Sequence, residues 1–363
     1  MSNYKLLVAP DGNLLRSDLD GLRLCSLADD ACMWRGDDQS LSSVSDSELT
    51  VTVAESAVNF SNPELGDRRF TVVQGPTKLP SEHLEELRTQ GYTILENVLD
   101  EVAIGRIKKQ MSGNRAHFHQ EELPHDGHFW MISGLCWCPD LARSASHPVA
   151  LWLFQEYLKT TDIHFCHQPV ITTLKPAKNL LGTHPVGGWH SDYPYHNGVF
   201  PNDEWPENPV YGIQYNVCVD DFRDETGATQ FVPGSHSWCR PPSEEFNDTG
   251  NLMGQGVHKD VKQMTASAGA ALIYDARTWH RACHELNVSG KDRVAFLNAV
   301  APAWGRPMTD KTFLVEDYKQ SEVPSLLTER EKGEIDRLCV KPTLPTPEDR
   351  PTLSERIPQN RLR

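Results

Sequence analysis

The sequence predicts a mainly β chain with flanking helices, its strands arranged as an antiparallel sandwich or barrel. Three observations lead there. After about residue 163 the chain becomes a series of short β-rich stretches separated by turn residues: FCHQPVITTLKP, VYGIQYNVCVDDF, GAALIYDA and RVAFLNAVAP. Ahead of them, between residues 80 and 160, apolar residues recur at helical spacing. At 363 residues the chain suits one large β domain with extensions, or two domains.

Residues 1–75 read as an N-terminal extension of unknown role. LTVTVAESAV (49–58) and RRFTVVQG (68–75) alternate as strands do, and the Asp, Ser and Gly runs around them read as loops. These strands are expected to flank the main sheet or to form a small lobe. From Pro80 the pattern sharpens. SEHLEELRTQ follows a proline, with Ser81 expected as its N-cap and Gly91 as its C-terminal stop. GYTILENVLD is a short strand, EVAIGRIKKQM is a helix entered at Asp100, and Pro148 opens the helix VALWLFQEYLK. In that helix Leu151, Phe154 and Leu158 share one face. The main domain is expected over 76–325. Residues 326–363 are expected to be a polar, Pro-rich, peripheral tail.

A formal charge of −15 argues against a general nucleic-acid binder, which needs clustered Lys and Arg to neutralise phosphate. Nine cysteines, an odd number with no CxxC pair, argue against a disulfide framework or a structural zinc site. No basic start precedes an apolar core at the N-terminus, and no window approaches eighteen apolar residues. The expectation is a cytoplasmic protein with no membrane partner.

The chemistry lies in three segments. In GGWHSDYPYH (187–196), residues two apart in an extended chain point the same way, so His190 and Asp192 project together. Alone, that pair is equally a His and an Asp in a polar surface loop. In DARTWHRACHELNVSGKDRVAFLNAV (275–300), a strand runs into a turn and then His280, followed by Asn287, Ser289 and Arg293. Two histidines and one carboxylate on one side of an ion leave its remaining positions open for ligands. The planar fork of a buried arginine matches the far carboxylate of an oxo-acid; the plainer role for Arg293 is a strand-end salt bridge. In DDFRDETGATQFVPGSHSW (220–238), PGSH reads as a tight turn around a short strand, with His236 structural.

Together and in this order, WHSD (189–192), the D-x-x-x-x-x-G-A-T-x-F-V-P-G-S-H block (221–236) and the WH…N…S…R block (279–293) resemble the phytanoyl-CoA dioxygenase family of iron(II)/2-oxoglutarate oxygenases. GYTILENVLDEVAIGRIKKQM from residue 91 is similar to that family's first strand and helix. The resemblance spans roughly residues 80 to 305. It implies a double-stranded β-helix (jelly-roll, cupin-like) core and a dioxygenase using iron(II), 2-oxoglutarate and O2. Such an enzyme oxidises, by default hydroxylates, a small molecule with release of succinate and CO2. It further implies that His190, Asp192 and His280 ligate iron and that Arg293 anchors 2-oxoglutarate. Ser289 would support that carboxylate, and Gln214, Asn216 and Thr229 would line the pocket. A reducing compartment suits ferrous iron. The retained Asp192 carboxylate favours oxygen insertion over halogenation.

One departure from the family stands out. Six residues separate His280 from Asn287, more than is usual, so His284 competes as the distal ligand. The histidine-rich stretch 115–137, with His117, His119, His125 and His128, is expected to be a lid or a polar loop. Tyr193, Tyr195 and His196 are placed to touch substrate or to pack the barrel mouth. Two rival readings stay open: a cupin-like metalloenzyme not using 2-oxoglutarate, and a catalytically silent β-domain binding protein. Neither the substrate nor the oligomeric state is legible.

Overall fold

The computed structural model describes residues 4–37, 39–62, 65–114, 120–122, 128–132, 134–177, 189–195, 200, 205–242, 260–308 and 312–339. Strands begin at once: β1 (Lys5–Val8), β2 (Leu14–Asp18), β3 (Gly21–Cys25), β4 (Trp34–Gly36), β5 (Ser40–Ser43), β6 (Thr50–Thr52), β7 (Ala57–Asn62) and β8 (Gly66–Gln74). They form one antiparallel sheet in which β8 pairs the whole of β1, while β2 and β4 share its other edge. The region expected to be loops before residue 49 is therefore five strands. Their turns use Gly12 and Gly21, both at positive φ, where glycine alone is unstrained.

Alternation along β1 and β2 sends neighbouring leucines to two different cores. Leu7 and Leu15 join Trp34, Leu41, Val58 and Phe70 inside the N-terminal sheet. Leu6 and Leu14, with Ala28, Cys32 and Met33, pack instead with helix residues such as Leu84 and Leu151. The lobe is thus welded to the rest of the protein by apolar burial, at ~2 kcal/mol for each large side chain.

Next come α1 (Pro80–Gln90), β9 (Tyr92–Leu95), α2 (Glu101–Asn114), β10 (Gln120–Glu122), β11 (His128–Ile132), α3 (Gly134–Trp137), α4 (Pro139–Ala145) and α5 (Pro148–Leu158). The N-cap of α1 is Leu79, not Ser81, because Pro80 occupies the first helical position. The Glu82 carboxylate accepts the Leu79 N–H, and Ser81 donates its N–H and O–H to Asp30 in the N-terminal lobe. Asp100 caps α2 as expected, accepting the Ala103 N–H at 2.7 Å. Gly91 ends α1 at φ +81°, and a Cβ there would lie 2.5 Å from the His236 ring and 2.7 Å from Thr278 Oγ1. Gly91→Ala is expected to cost ~2 kcal/mol or more, read as a lower urea midpoint.

The remaining strands are β12 (Ile163–Phe165), β13 (Val170–Leu174), β14 (Ile213–Cys218), β15 (Gln230–Phe231), β16 (Lys262–Gln263), β17 (Ala271–Asp275), β18 (His280–Arg281) and β19 (Arg293–Pro302). The larger sheet has the order β10-β11-β13-β19-β14-β17-β9, with β12 on the far end of β19. The smaller has the order β16-β15-β18. Between the two sheets lie Cys218, Phe222, Phe231, Met264, Leu272, Tyr274 and Ala295. The larger sheet turns Ile171, Tyr215, Val217, Ile273 and Phe296 outward against α1 to α5. This is a mainly β, jelly-roll core with helices on one face.

After β19 come α6 (Thr312–Gln320) and α7 (Glu329–Cys339). The second of these corrects the tail boundary expected at 326. Ile335 and Leu338 are fully buried, and Arg337 donates to the Thr161 carbonyl at 2.7 Å. The last part of the expected tail, residues 340–363, lies outside the described residues. Among the described residues no helix is long and apolar enough to cross a membrane.

Candidate metal centre

β17 ends at Asp275, turns through Ala276–Thr278, and delivers His280 to the start of β18. His190 arrives opposite it. The two residues exchange backbone N–H···O bonds of 3.0 Å each, so the His-x-Asp segment adds a further antiparallel bridge to the smaller sheet. Their rings lie 4.3 Å apart. Asp192 turns its carboxylate between them, with Oδ2 3.2 Å from His280 Nε2 and Oδ1 4.0 Å from His190 Nε2. One ligand atom from each of the three residues lies within 4.8 Å of the others.

This donor set fits a metal on grounds of tautomer as well as spacing. His280 Nδ1 lies 2.9 Å from the Thr278 carbonyl, so that nitrogen holds the proton and Nε2 is left to face the shared point. Burial opposes protonation of His280, but the adjacent Asp192 carboxylate outweighs it and lifts the imidazole above its ordinary range. A cation at the same point takes the place of that proton.

Two side chains the sequence did not single out shape this point. Phe231 stacks on the His280 ring at 5.5 Å. The Tyr274 hydroxyl lies 3.4 Å from His280 Nε2, accepts from Asn216 Nδ2 at 3.1 Å, and bonds Asp192. Burial first, and then the Asp192 charge, hold the Tyr274 phenol far above its usual range, so it acts as a neutral donor. Its signal was available in principle, as an interior-facing position on the strand that leads to His280.

Beneath the site runs a buried ion pair. Arg277 clamps Asp275 through Nη2 at 2.7 Å and Nε at 3.0 Å, and Tyr157 donates to the same carboxylate at 2.7 Å. The turn so fixed accepts twice from the His190–Asp192 arm: Ser191 Oγ donates to the Arg277 carbonyl and the Asp192 N–H to that of Ala276. A hydrogen bond to a buried charge is worth ~2 kcal/mol. Tyr157→Phe is accordingly expected to lower unfolding free energy by about that amount, measured by chemical denaturation, with 2-oxoglutarate affinity unchanged.

Arg293 opens β19 on the interior face, the face it shares with Ala295. It is 5% exposed, its guanidinium carbon lies 3.9 Å from the centre of the Phe222 ring, and its Nε has no hydrogen-bond partner. Burial pushes its pKa down to about 10, which leaves it cationic at neutral pH. Among the described residues it forms no salt bridge.

The other expected pocket residues fall as follows. Gln214 and Asn216 alternate with Ile213, Tyr215 and Val217, which pack on the helices. They therefore face the interior with Cys218 and Tyr274. Thr229 stands two residues before Phe231 and is half-buried. Ser289 donates to Asn287 Oδ1 at 2.7 Å and closes the loop before Arg293, with no hydrogen bond to that guanidinium. His236 is structural, bonded through Nε2 to the Arg88 carbonyl at 3.1 Å. Tyr195 is buried and accepts the Tyr211 N–H, so it packs the barrel mouth, while half-buried Tyr193 donates to the Arg306 carbonyl. His117, His119, His125 and His196 lie outside the described residues, as do the side chains of His128 and His284.

A jelly roll that gathers two histidines and a carboxylate at one point is the architecture of the non-haem metal oxygenases. The chain belongs to the phytanoyl-CoA dioxygenase family, whose sequence model matches residues 87–295. Members of that family use iron(II), 2-oxoglutarate and O2. An uncharacterized protein of Mycobacterium tuberculosis is 22% identical over 249 residues, 66% of this chain and 82% of its own. Dioxygenase cdmA of Talaromyces verruculosus is 31% identical over 121 residues, 33% of this chain and 36% of its own. Among solved structures, the 2-oxoglutarate-dependent epimerase SnoN from nogalamycin biosynthesis aligns with a TM-score of 0.47 at 17% identity, over 65% of this chain and 88% of that one. HygX from Streptomyces hygroscopicus, solved with nickel, 2-oxoglutarate and hygromycin B, aligns at 0.48 and 11%, over 63% and 89%.

Proposed function

We propose that this chain is an iron(II)- and 2-oxoglutarate-dependent dioxygenase that hydroxylates a small organic molecule, releasing succinate and CO2. The observation that carries this reading is the meeting of His190, Asp192 and His280 in a jelly roll whose interior also holds the buried Arg293 guanidinium, in no ion pair among the described residues. A triad alone suits a cupin-like enzyme with no oxo-acid. Arg293 is what favours 2-oxoglutarate, because a desolvated cation calls for an anionic partner.

Each side chain then has a task. His190, Asp192 and His280 hold the iron, which supplies coordination for the oxo-acid and the means to activate dioxygen. Arg293 binds the far carboxylate of 2-oxoglutarate through its fork, and Gln214 and Thr229 line the space between. Tyr274 donates to Asp192 and keeps that carboxylate turned toward His280. Phe231 and Phe222 keep water from the interior, which strengthens both the ligand set and the Arg293 contact.

The assay is succinate release. Anaerobic protein loaded with iron(II) and 2-oxoglutarate, then exposed to air, is expected to form succinate in amounts dependent on both additions. An absence of succinate together with no binding of 2-oxoglutarate rejects the reading and returns the chain to a silent β-domain.

A further inference from the structure

The N-terminal lobe contains a feature unconnected with the metal centre. Cys25 ends β3, and Cys32 closes a single 3-10 turn (Asp30–Cys32) whose N-cap is Asp29. Their sulfurs lie 3.3 Å apart. A disulfide needs ~2.0 Å, so closure asks for about 1 Å of side-chain motion and no refolding. Cys25 is partly exposed, whereas Cys32 is fully buried. One sulfur can meet an oxidant in solvent while the other waits behind it.

We propose that Cys25 and Cys32 are a peroxide-reactive dithiol, with Cys25 the attacking and Cys32 the resolving sulfur. The Cys25 thiolate attacks a peroxide oxygen. The O–O bond breaks, Cys25 becomes a sulfenic acid, and for hydrogen peroxide the leaving oxygen departs as water. The Cys32 sulfur then displaces hydroxide from Cys25, forming the S–S bond and releasing a second water. In sum, two thiols and one hydrogen peroxide give one disulfide and two waters.

Electrostatics supports this division of labour. The hydrogen bond from Cys32 holds the Cys25 thiol below its ordinary range, aided by the nearby Arg16 and Arg23 guanidinium groups. By contrast, burial pushes Cys218 and Cys283, inside the barrel, up to about 12. They serve as internal controls.

The linked segment is also the joint between the lobe and the jelly roll. Ala28, inside the closed loop, donates its N–H to the Pro148 carbonyl at the start of α5, and the Asp30 carboxylate holds Ser81 of α1. A crosslink from Cys25 to Cys32 therefore fixes the strand that the joint leaves from.

Trypsin releases both cysteines in one peptide, Leu24–Arg35, so the test is direct. The full chain is treated with stoichiometric hydrogen peroxide, alkylated in denaturant, digested and weighed. The expected peptide is lighter than its reduced, unalkylated form by about two hydrogen masses. It becomes alkylatable at both sulfurs only after dithiothreitol, while Cys218 and Cys283 stay alkylated throughout. In Cys32→Ser, a cyclic dione reagent is expected to trap a sulfenic acid on Cys25. Full alkylation of both cysteines after peroxide, or a sulfinic acid on Cys25 with Cys32 still free, overturns the proposal.

Discussion

Asp192→Ala is expected to abolish iron(II) binding at stoichiometric concentrations and to lower succinate formation by ~10³-fold or more. The reasoning is geometric. Asp192 is the one anionic member of the donor set, and its two oxygens face the two imidazoles at 3.2 and 4.0 Å. Removing it leaves two neutral nitrogens, and a loss of several kcal/mol in metal stabilisation corresponds to that factor. The fold should survive, since the Asp192 side chain is about one-fifth exposed and the loop's backbone bond to Ala276 does not involve it. An unchanged thermal midpoint beside lost iron separates a ligand from a structural residue. The same titration settles the distal position. His280→Ala is expected to lose iron and His284→Ala to retain it; the reverse outcome assigns the role to His284.

Arg293→Met is expected to weaken 2-oxoglutarate by ~100-fold while leaving iron affinity within a few-fold of the parent. Truncating one member of a buried, hydrogen-bonded charge pair costs about 2–5 kcal/mol, and each 1.4 kcal/mol is tenfold. The effect on stability runs the other way. In the ligand-free protein the guanidinium is desolvated, its Nε is unsatisfied and its pKa is depressed to about 10. Methionine removes that burden and preserves much of the packing against Phe222. The substitution should therefore leave the ligand-free unfolding midpoint unchanged or raised, unusual for a side chain 5% exposed. Lysine keeps the charge but not the fork, so Arg293→Lys is expected to recover only part of the loss. If the methionine protein unfolded earlier and bound 2-oxoglutarate normally, Arg293 would be a packing residue.

How far the sequence could be read depended on where the physics was local. The strands after residue 163 read as short, largely apolar β-rich runs because one face meets helices and the other an apolar interior, and each appears near its expected place. His190 and Asp192 sit two apart, so their common direction follows from strand geometry alone. Which face Gln214 and Asn216 present was not local; it follows only once Tyr215 is seen against α5 and Ser144. The first part of the N-terminal sheet hid because β1 to β5 are three to five residues long and separated by Asp, Ser and Gly, too short to establish a period. In α7 only three apolar residues, Ile335, Leu338 and Cys339, turn inward beside Glu334, so EREKGEIDRLC reads as a charged tail. Asp275 and Arg277 looked like an ordinary polar turn in DAR, since nothing in the sequence says that Tyr157, 118 residues away, closes over them.

The structure of the protein crystallised without oxygen, with iron(II) and 2-oxoglutarate, tests the account most directly. It is predicted to show one iron bonded to the imidazoles of His190 and His280 and to the Asp192 carboxylate. The far carboxylate of 2-oxoglutarate is predicted to be paired with both terminal nitrogens of Arg293. Iron held by His284 in place of His280, or 2-oxoglutarate bound away from Arg293, would contradict it.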